Sequence, residues 1–297
     1  MTRPTDSVTA VSTVWRRQSV WSQAADRARY RIHRSRAWVL ALTVAAAVLG
    51  TASAQLAAHL PLAGRVLAVL AGAALALVPL LARGSGRDTV QAWIRQRSVS
   101  ESLKADVYRY LAGAAPFHGT DRDAVLLRRL DERMADADDL VIHTTTIDPV
   151  ERDLPPVTDP ATYLTHRLEA QLTSYYLPAG RRMAQRARLI RRATTVLAGT
   201  AAVCTAATGV FGGTASTAWT GVVTTVLTAL TGYSAAQRYE YQQLEFVRTA
   251  NHLERLRAGR LGGQSHTDDD AFIAESERII SISNEGWMAK LAGEDPG

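Results

Sequence analysis

Four apolar segments arranged as two hairpins constrain this chain more than any other feature. The first hairpin is predicted at residues 37–60 and 66–82, with a turn at 61–65. The second is predicted at 193–212 and 217–237, and no charged residue occurs between positions 193 and 237. A bilayer core of about 30 Å takes roughly 20 apolar residues in a helix. The sequence therefore predicts an all-α integral membrane protein with four transmembrane helices, built as two tandem helical-hairpin modules with long cytoplasmic helices.

The alternative is a soluble all-α protein in which these segments are buried core helices. The mean hydropathy of the whole chain, −0.06, is typical of a soluble protein, but it averages apolar segments with strongly charged flanks. Arginines crowd the outer flanks of both hairpins, whereas the two inner turns carry one arginine and none. Because basic residues favour the cytoplasmic side, we expect a multi-pass plasma-membrane protein with both termini in the cytoplasm. The main juxtamembrane basic residues are Arg34, Arg36, Arg83, Arg191 and Arg192.

The fourth predicted span is rich in threonine. Five of these threonines fall on one helical stripe and are the candidate pore-lining residues: Thr217, Thr220, Thr224, Thr228 and Thr231. Two interpretations stay open, because a threonine hydroxyl either lines a polar pore or donates to the backbone carbonyl one turn earlier. A pore of this kind has no ring of charge and would select ions weakly. The polar residues of the first span, Gln55 and His59, form a candidate outer mouth.

Small residues recur at four-residue spacing in the spans. These candidate helix-packing positions are Gly64, Ala68, Gly72 and Ala76 in the second segment and Ala198, Ala202 and Ala206 in the third. Small side chains let helices approach closely in lipid, where no hydrophobic force drives helices together. Such faces either pack the two helices of one hairpin or assemble several chains, and we expect a homo-oligomer.

Composition and motifs exclude several functions. The only cysteine, Cys204, lies inside the third segment, which excludes disulfides and cysteine-based metal sites within one chain. The seven histidines lack metal-ligand spacing, and the sequence has no phosphate-binding loop or nucleophile motif. We therefore predict no enzymatic activity and no catalytic, cofactor-binding or metal-binding residues. The net charge of +6 comes from basic residues beside the spans, so lipid headgroups rather than nucleic acid are the expected partner.

The chain also repeats itself. Thr120-Asp121-Arg122-Asp123-Ala124 in the first half matches Thr267-Asp268-Asp269-Asp270-Ala271 in the second, and each opens a predicted last helix, at 124–140 and 271–291. A short strand is expected at 140–146. The predicted organisation is a disordered tail at 1–14, a first module at 15–145, a linker rich in threonine and proline at 146–160, and a second module at 161–297.

Apolar residues recur at four-residue spacing after each hairpin. They are Val99, Leu103, Val107 and Leu111 in the first half, and Phe246, Ala250, Leu253 and Leu256 in the second. Such stripes indicate either core positions of a helical bundle or a coiled-coil collar between protomers.

Aromatic and polar residues that flank the second hairpin carry a family resemblance. They include Tyr163-Leu164, Arg167-Leu168, Gln171 and Tyr175-Tyr176 before it, and Tyr239, Tyr241, Leu244, Phe272, Glu275, Asn284-Glu285 and Trp287 after it. The first half shows a related set, Trp93, Arg97, Ser100-Glu101, Tyr108 and Tyr110-Leu111, but 134–139 has no counterpart of the Asn-Glu-x-Trp ending. This pattern resembles SLATT, the two-transmembrane effector family associated with second-messenger synthases and nucleotide sensors, many of whose members are catalogued as DUF4231.

The resemblance implies a membrane effector that forms a pore or perturbs the bilayer. It further implies a triggered oligomer in a bacterial conflict or defence system, and a nucleotide-sensing or second-messenger protein as partner. The alternative from a different class is a non-conducting membrane-anchored scaffold that recruits a cytoplasmic partner.

Overall fold

The computed structural model describes residues 9–211, 214–262 and 268–292, with only the backbone described at 211, 214–217 and 282–292. Helices make up almost all of this part of the chain, and no strand occurs in it. The α-helices are α1 (Ala10–Leu56), α2 (Pro61–Ala82), α3 (Arg87–Leu111), α4 (Arg122–Ala135), α5 (Pro160–Tyr163), α6 (Leu177–Phe211), α7 (Thr214–Gln237), α8 (Tyr239–Leu261) and α9 (Asp269–Ala292).

Between α5 and α6 the helix continues in wider π geometry over Leu164–Glu169 and Gln171–Tyr176. Its start is well capped. Asp159 accepts a hydrogen bond from the Thr162 backbone N–H at 2.8 Å, and Pro160 occupies the first turn, where its missing N–H costs nothing. π turns are rare and occur frequently at functional sites, and the first of these two stretches contains Arg167.

Three local expectations differ from the structure. The first hairpin turns at 57–60 rather than 61–65, because Pro61 starts α2 at the position where proline is favoured. The short strand expected at 140–146 is instead a 3₁₀ helix, Asp138–His143. α1 begins at Ala10, inside the tail expected to be disordered, because Val11 and Val14 are buried in the core. Positions 1–8 of that tail, and Thr267 of the repeat, lie outside the described residues.

The chain divides into two compact units, each assembled from both halves of the sequence. We call the first the packed unit, made of Met1–Arg29, Val90–Arg181 and Tyr241–Gly297. The second, the hairpin unit, consists of Tyr30–Thr89 and Arg182–Glu240. The predicted modules follow chain order, whereas these units follow contacts, so the module boundaries remain a prediction.

The packed unit contains the large apolar core. Trp21, Leu103, Val107, Phe117 and Leu126 are at most 1% exposed and belong to one cluster formed by α1, α3, α4 and the loop after α3. In the second half, Phe246, Ala250 and Leu253 are buried on α8. The post-hairpin stripes are therefore core positions, as the first of the two interpretations predicted.

The segment after the 3₁₀ helix, predicted as a linker, is held against the start of α1. The Trp15 indole Nε1 donates to the Asp153 carbonyl at 3.0 Å, and the Arg152 guanidinium lies 3.6 Å from the centroid of the same indole. Ile147 and Val157 are buried. This connection therefore contributes to the packed unit.

Candidate functional site

The hairpin unit exposes many large apolar side chains. Val210, Leu62 and Val69 are 76%, 75% and 71% exposed, which leaves them almost as open as in an unfolded chain. Other large apolar residues of the unit are 44–69% exposed: Trp38, Val66, Leu70, Leu75, Leu77, Leu80, Leu189, Val196, Val203 and Trp219. Monomeric soluble proteins rarely expose contiguous apolar patches larger than a few hundred Å², and larger ones mark membrane or protein interaction sites.

Among the described residues, three helical stretches are long and apolar enough to cross a membrane: Ala10–Leu56, Pro61–Leu111 and Pro160–Val210. These contain all of the second predicted span and most of the first and third. The fourth, α7, is not among them, because threonine, serine, glycine and alanine make up most of its sequence. The structure therefore supports an all-helical protein with three candidate spans.

The first hairpin packs closely at only some of the expected small residues. A Cβ atom added to the buried Gly64 would lie 3.0 Å from the Ala57 Cα, so only glycine fits there without a shift. Along α2 the contact continues through Ala71 and Ala74, which are buried. The other predicted packing positions are exposed within the chain: Ala68, Gly72, Ala76, Ala198, Ala202 and Ala206. Their packing role remains a prediction, and it now concerns contacts with other chains.

The threonine stripe of α7 points away from the rest of the chain. Thr224, Thr228 and Thr231 are exposed and Thr220 is half-buried, while only the backbone of Thr217 is described. The Thr224 hydroxyl donates to the Thr220 carbonyl at 2.9 Å, and the Thr231 hydroxyl donates to the Leu227 carbonyl at 2.8 Å. Both hydroxyls are thereby satisfied on their own helix, a state compatible with lipid, a protein partner or a pore.

Several of the predicted juxtamembrane arginines lie on or beside contacts between helices of the hairpin unit. Ser35 Oγ on α1 donates to the Leu81 carbonyl near the end of α2 at 2.6 Å. Next to it, Arg36 Nη1 donates to the Ala236 carbonyl near the end of α7 at 2.9 Å. Arg191 on α6 pairs with Glu240. Three further predicted residues are exposed there: Arg34, Arg83 and Arg192.

The candidate outer mouth lies at the turn of the first hairpin. Gln55 is half-buried in the last turn of α1, and His59 is exposed in the turn itself. Neither side chain makes a hydrogen bond or ion pair with another described residue, so the role assigned to them remains a prediction.

A buried ion cluster in the packed unit was not predicted from the sequence. Arg167, in the first π stretch, makes two hydrogen bonds to Glu277 of α9: Nε to Oε1 at 2.9 Å and Nη2 to Oε2 at 2.8 Å. The Tyr163 hydroxyl donates to the same Oε1 at 2.9 Å. The guanidinium also lies 4.5 Å from the centroid of the Tyr108 ring on α3. We call these four residues the Arg167 cluster.

Burial and charge oppose each other in this cluster. Glu277 is 3% and Arg167 1% exposed. Burial alone would raise the pKa of Glu277, but the charge and hydrogen bonds of Arg167, with the Tyr163 hydroxyl, hold it below its ordinary value of 4.5. Both groups are therefore ionised at neutral pH. Nearby, burial lowers the pKa of Lys104 to about 8, although the charge of Glu101 acts in the opposite direction.

The cluster joins the two halves of the sequence. Tyr108 comes from the first half, whereas Tyr163, Arg167 and Glu277 come from the second. A second link pairs His118 Nε2 with Asp270 Oδ2 at 2.6 Å, and the Ala115 backbone N–H donates to the other oxygen of Asp270 at 2.8 Å. Displacement of α9 would therefore break contacts with residues of both halves.

One signal in the sequence pointed to Glu277. It lies four residues after Ile273 and three before Ile280, so an acidic residue interrupts an apolar helical stripe. A buried acid needs a partner, but the sequence offers many arginines. Which arginine pairs with Glu277 depends on how α9 packs against the other helices. The spacing of apolar residues along the sequence does not reveal this packing.

The fold and the exposed surface thus define a class: an all-helical protein whose apolar hairpin unit is suited to a membrane. Two family models match parts of the chain. Residues 163–287 match the SMODS and SLOG-associating 2TM effector domain 1, SLATT_1, and residues 19–124 match DUF4231, a protein family of unknown function. The chain carries the SLATT and DUF4231 regions in tandem, which confirms the resemblance stated above.

Other comparisons add no relatives. No curated protein matches the chain, and no solved structure matches it.

Proposed function

We propose that the protein is a membrane effector that forms a pore or perturbs the bilayer as a triggered oligomer in a bacterial conflict or defence system. The observation that carries the proposal is the exposed apolar surface of the hairpin unit, which needs a lipid or protein environment. The effector-domain match at 163–287 supports the same function. The proposal assigns no enzymatic activity and no cofactor.

The proposed location is the plasma membrane, with several spans and with both termini in the cytoplasm. The supporting observation is the arginine distribution, since basic residues crowd the flanks of the apolar segments, whereas Arg65 is the only arginine near the turn of the first hairpin. Cysteines introduced at His59 and at Glu254 should then react with an impermeant maleimide only from outside and only from inside the cell, respectively.

Assembly of several chains is supported by two faces that remain open in the single chain. One is the exposed alanine row on α6, and the other is the exposed threonine row on α7. In lipid, small residues allow close helix contact and hydroxyls supply polar surface. A symmetric assembly that places the threonine row at its axis would line a weakly selective pore.

The trigger would act through the packed unit. In the proposed mechanism, the Arg167 cluster holds α9 in place, and binding of a nucleotide-sensing or second-messenger partner shifts α9. The helix that contains Arg167 continues through α6 into the third candidate span. Such continuity provides a covalent route from the packed unit to the span.

The direct test is ion leak from liposomes that contain the purified full-length chain. We expect dye or ion release that rises with protein concentration and increases when the cluster is opened by Glu277→Gln. Glu275→Gln, on the same helix but in an exposed pair with Arg278, is the matched control. Absence of leak from the wild type and from Glu277→Gln, in preparations shown to be oligomeric, would refute the pore.

A non-conducting scaffold is the second candidate, and one observation favours it. Because the Thr224 and Thr231 hydroxyls are satisfied on their own backbone, the row requires no water-filled lumen. A scaffold would fractionate with membranes and pull down a partner through the packed unit, but it would leave liposomes sealed.

A further inference from the structure

The two units carry opposite charge. The hairpin unit contains twelve arginines, no lysine and only two acidic residues, Asp88 and Glu240, which gives it a formal charge of +10. The remainder of the chain, with 22 basic and 26 acidic residues, carries −4. The chain's net charge of +6 therefore conceals a strong separation of charge, with the excess on the more apolar unit.

All of these arginines except Arg65 lie towards the ends of the two stretches of chain that form the hairpin unit, away from the turn of the first hairpin. We call this set the arginine belt: Arg31, Arg34, Arg36, Arg83, Arg87, Arg182, Arg186, Arg188, Arg191, Arg192 and Arg238. The contacts of Ser35 with Leu81 and of Arg36 with Ala236 bring the relevant parts of α1, α2 and α7 together. Two further contacts connect α6 to the start of α8. Arg191 pairs with Glu240, and the Arg186 guanidinium lies 5.9 Å from the centroid of the Tyr239 ring.

Most of the belt lacks a counter-charge. Arg36, Arg186 and Arg191 have the partners just named, whereas the side chains of the other eight arginines make no hydrogen bond or ion pair with any described residue. Each of those eight is exposed. Like charges so close together repel one another, and two acidic residues in the unit cannot neutralise them. The belt therefore needs anions from outside the chain.

The surroundings of the belt indicate which anions these are. Trp38, Leu80 and Leu189 lie within a few residues of belt arginines along α1, α2 and α6, and are 49%, 57% and 68% exposed. A ligand that covers both surfaces must carry negative charge at one end and hydrocarbon at the other. The guanidinium fork fits phosphate oxygens in pairs, which an ammonium group does not.

We propose that the arginine belt binds the phosphate groups of anionic phospholipids, which act as its counter-charge and stabilise the hairpin unit. This inference rests on the proposed placement of the unit in a membrane, but not on pore formation. The lipid class is anionic phospholipid, because zwitterionic lipid carries no net charge to neutralise the arginines of the belt.

The test measures lipid binding by the full-length chain in a neutral detergent. Phosphatidylglycerol, phosphatidylcholine and inorganic phosphate are titrated separately, and the thermal midpoint and the bound lipid are recorded. We expect phosphatidylglycerol to raise the midpoint and to bind, and the other two to have little effect. High salt should weaken the binding, because exposed charges are screened beyond a Debye length.

The main variant replaces four unpartnered belt arginines together: Arg34→Gln, Arg83→Gln, Arg188→Gln and Arg192→Gln. A basic residue near an anionic surface contributes about 1 kcal/mol, a factor of about 5 in affinity, so we expect at least a tenfold loss of phosphatidylglycerol binding. The same four positions changed to lysine should retain part of it. Arg65→Gln, near the start of α2, and Arg255→Gln, on the packed unit, are exposed controls that should bind as the wild type does.

Three results would overturn the inference: equal stabilisation by phosphatidylcholine, equal stabilisation by inorganic phosphate, or wild-type binding by the quadruple glutamine variant. If that variant does not fold, the salt dependence and the Arg188→Gln single variant decide, with a smaller expected loss. Failure of the proposed pore would appear as sealed liposomes with lipid binding intact, so the two failures are distinguishable.

Discussion

Glu277→Gln should destabilise the packed unit severely, because it removes the charge that compensates a fully buried guanidinium. Glu277 accepts hydrogen bonds from Arg167 Nε, Arg167 Nη2 and the Tyr163 hydroxyl at 2.8–2.9 Å. Glutamine offers one acceptor oxygen, and its amide N–H group would face a second donor. Breaking a buried ion pair on one side costs about 3–5 kcal/mol.

The measurement is thermal unfolding of the full-length chain in detergent, followed by intrinsic fluorescence. For a folded unit of 150–250 residues, the size range of the packed unit, each kcal/mol lost shifts the thermal midpoint by about 2–4 °C. The midpoint should therefore fall by roughly 6–20 °C. Glu275→Gln is the control, because the Glu275–Arg278 pair is exposed and such pairs contribute about 0–1 kcal/mol. Equal effects of the two substitutions would refute the reasoning.

The pH dependence checks the same argument. The folded-state pKa of Glu277 lies below its ordinary value of 4.5, so its contribution is fully present above that pH and is lost as pH falls through the folded value. The difference in midpoint between wild type and Glu277→Gln should therefore be constant near neutral pH and shrink below about pH 4.5. A difference that grows in acid would contradict this assignment.

Four further substitutions have defined outcomes in the same unfolding assay. Asp106→Asn should reduce the free energy of unfolding by about 3 kcal/mol, because Asp106 is 2% exposed and accepts hydrogen bonds from Arg129 and Arg133. A loss below about 1 kcal/mol would contradict this expectation. Gly64→Ala should destabilise the first hairpin by about 1–3 kcal/mol, whereas Gly72→Ala, with no atom within 4 Å of the added Cβ, should be neutral or slightly stabilising. Lys104→Met should raise the midpoint at pH 7, and the gain should shrink as pH rises above about 8, where the folded chain releases this proton before the unfolded chain does.

Much of the helical organisation was predictable because it follows local rules. Runs of apolar residues bounded by arginine located the hairpins, and the four-residue spacing of Leu103 and Val107 correctly indicated buried positions. The hairpin turn was misplaced because the apolar pattern continues through it, and Pro61 was the better marker of the start of α2. Val11 and Val14 were too few to reveal a buried helix start before Trp15.

The functional sites were harder to predict because they depend on packing between distant segments. The four-residue spacing of small residues suggested one packing face, but the hairpin contact alternates spacings of seven and three along α2, through Gly64, Ala71 and Ala74. The pairing of Arg167 with Glu277 spans 110 residues. Neither contact leaves a periodic mark from which its partner can be identified.

The π geometry that precedes α6 gives this helix a way to rotate about its axis. Each α-helical residue accounts for about 100° of rotation and 1.5 Å of rise, and a π turn holds one residue more than an α turn. If one π turn between Leu164 and Tyr176 tightened to α geometry, everything beyond it on the helix would rotate by about 100° and advance by about 1.5 Å. The candidate span would then present a different face to its surroundings, and the helix would not need to unfold.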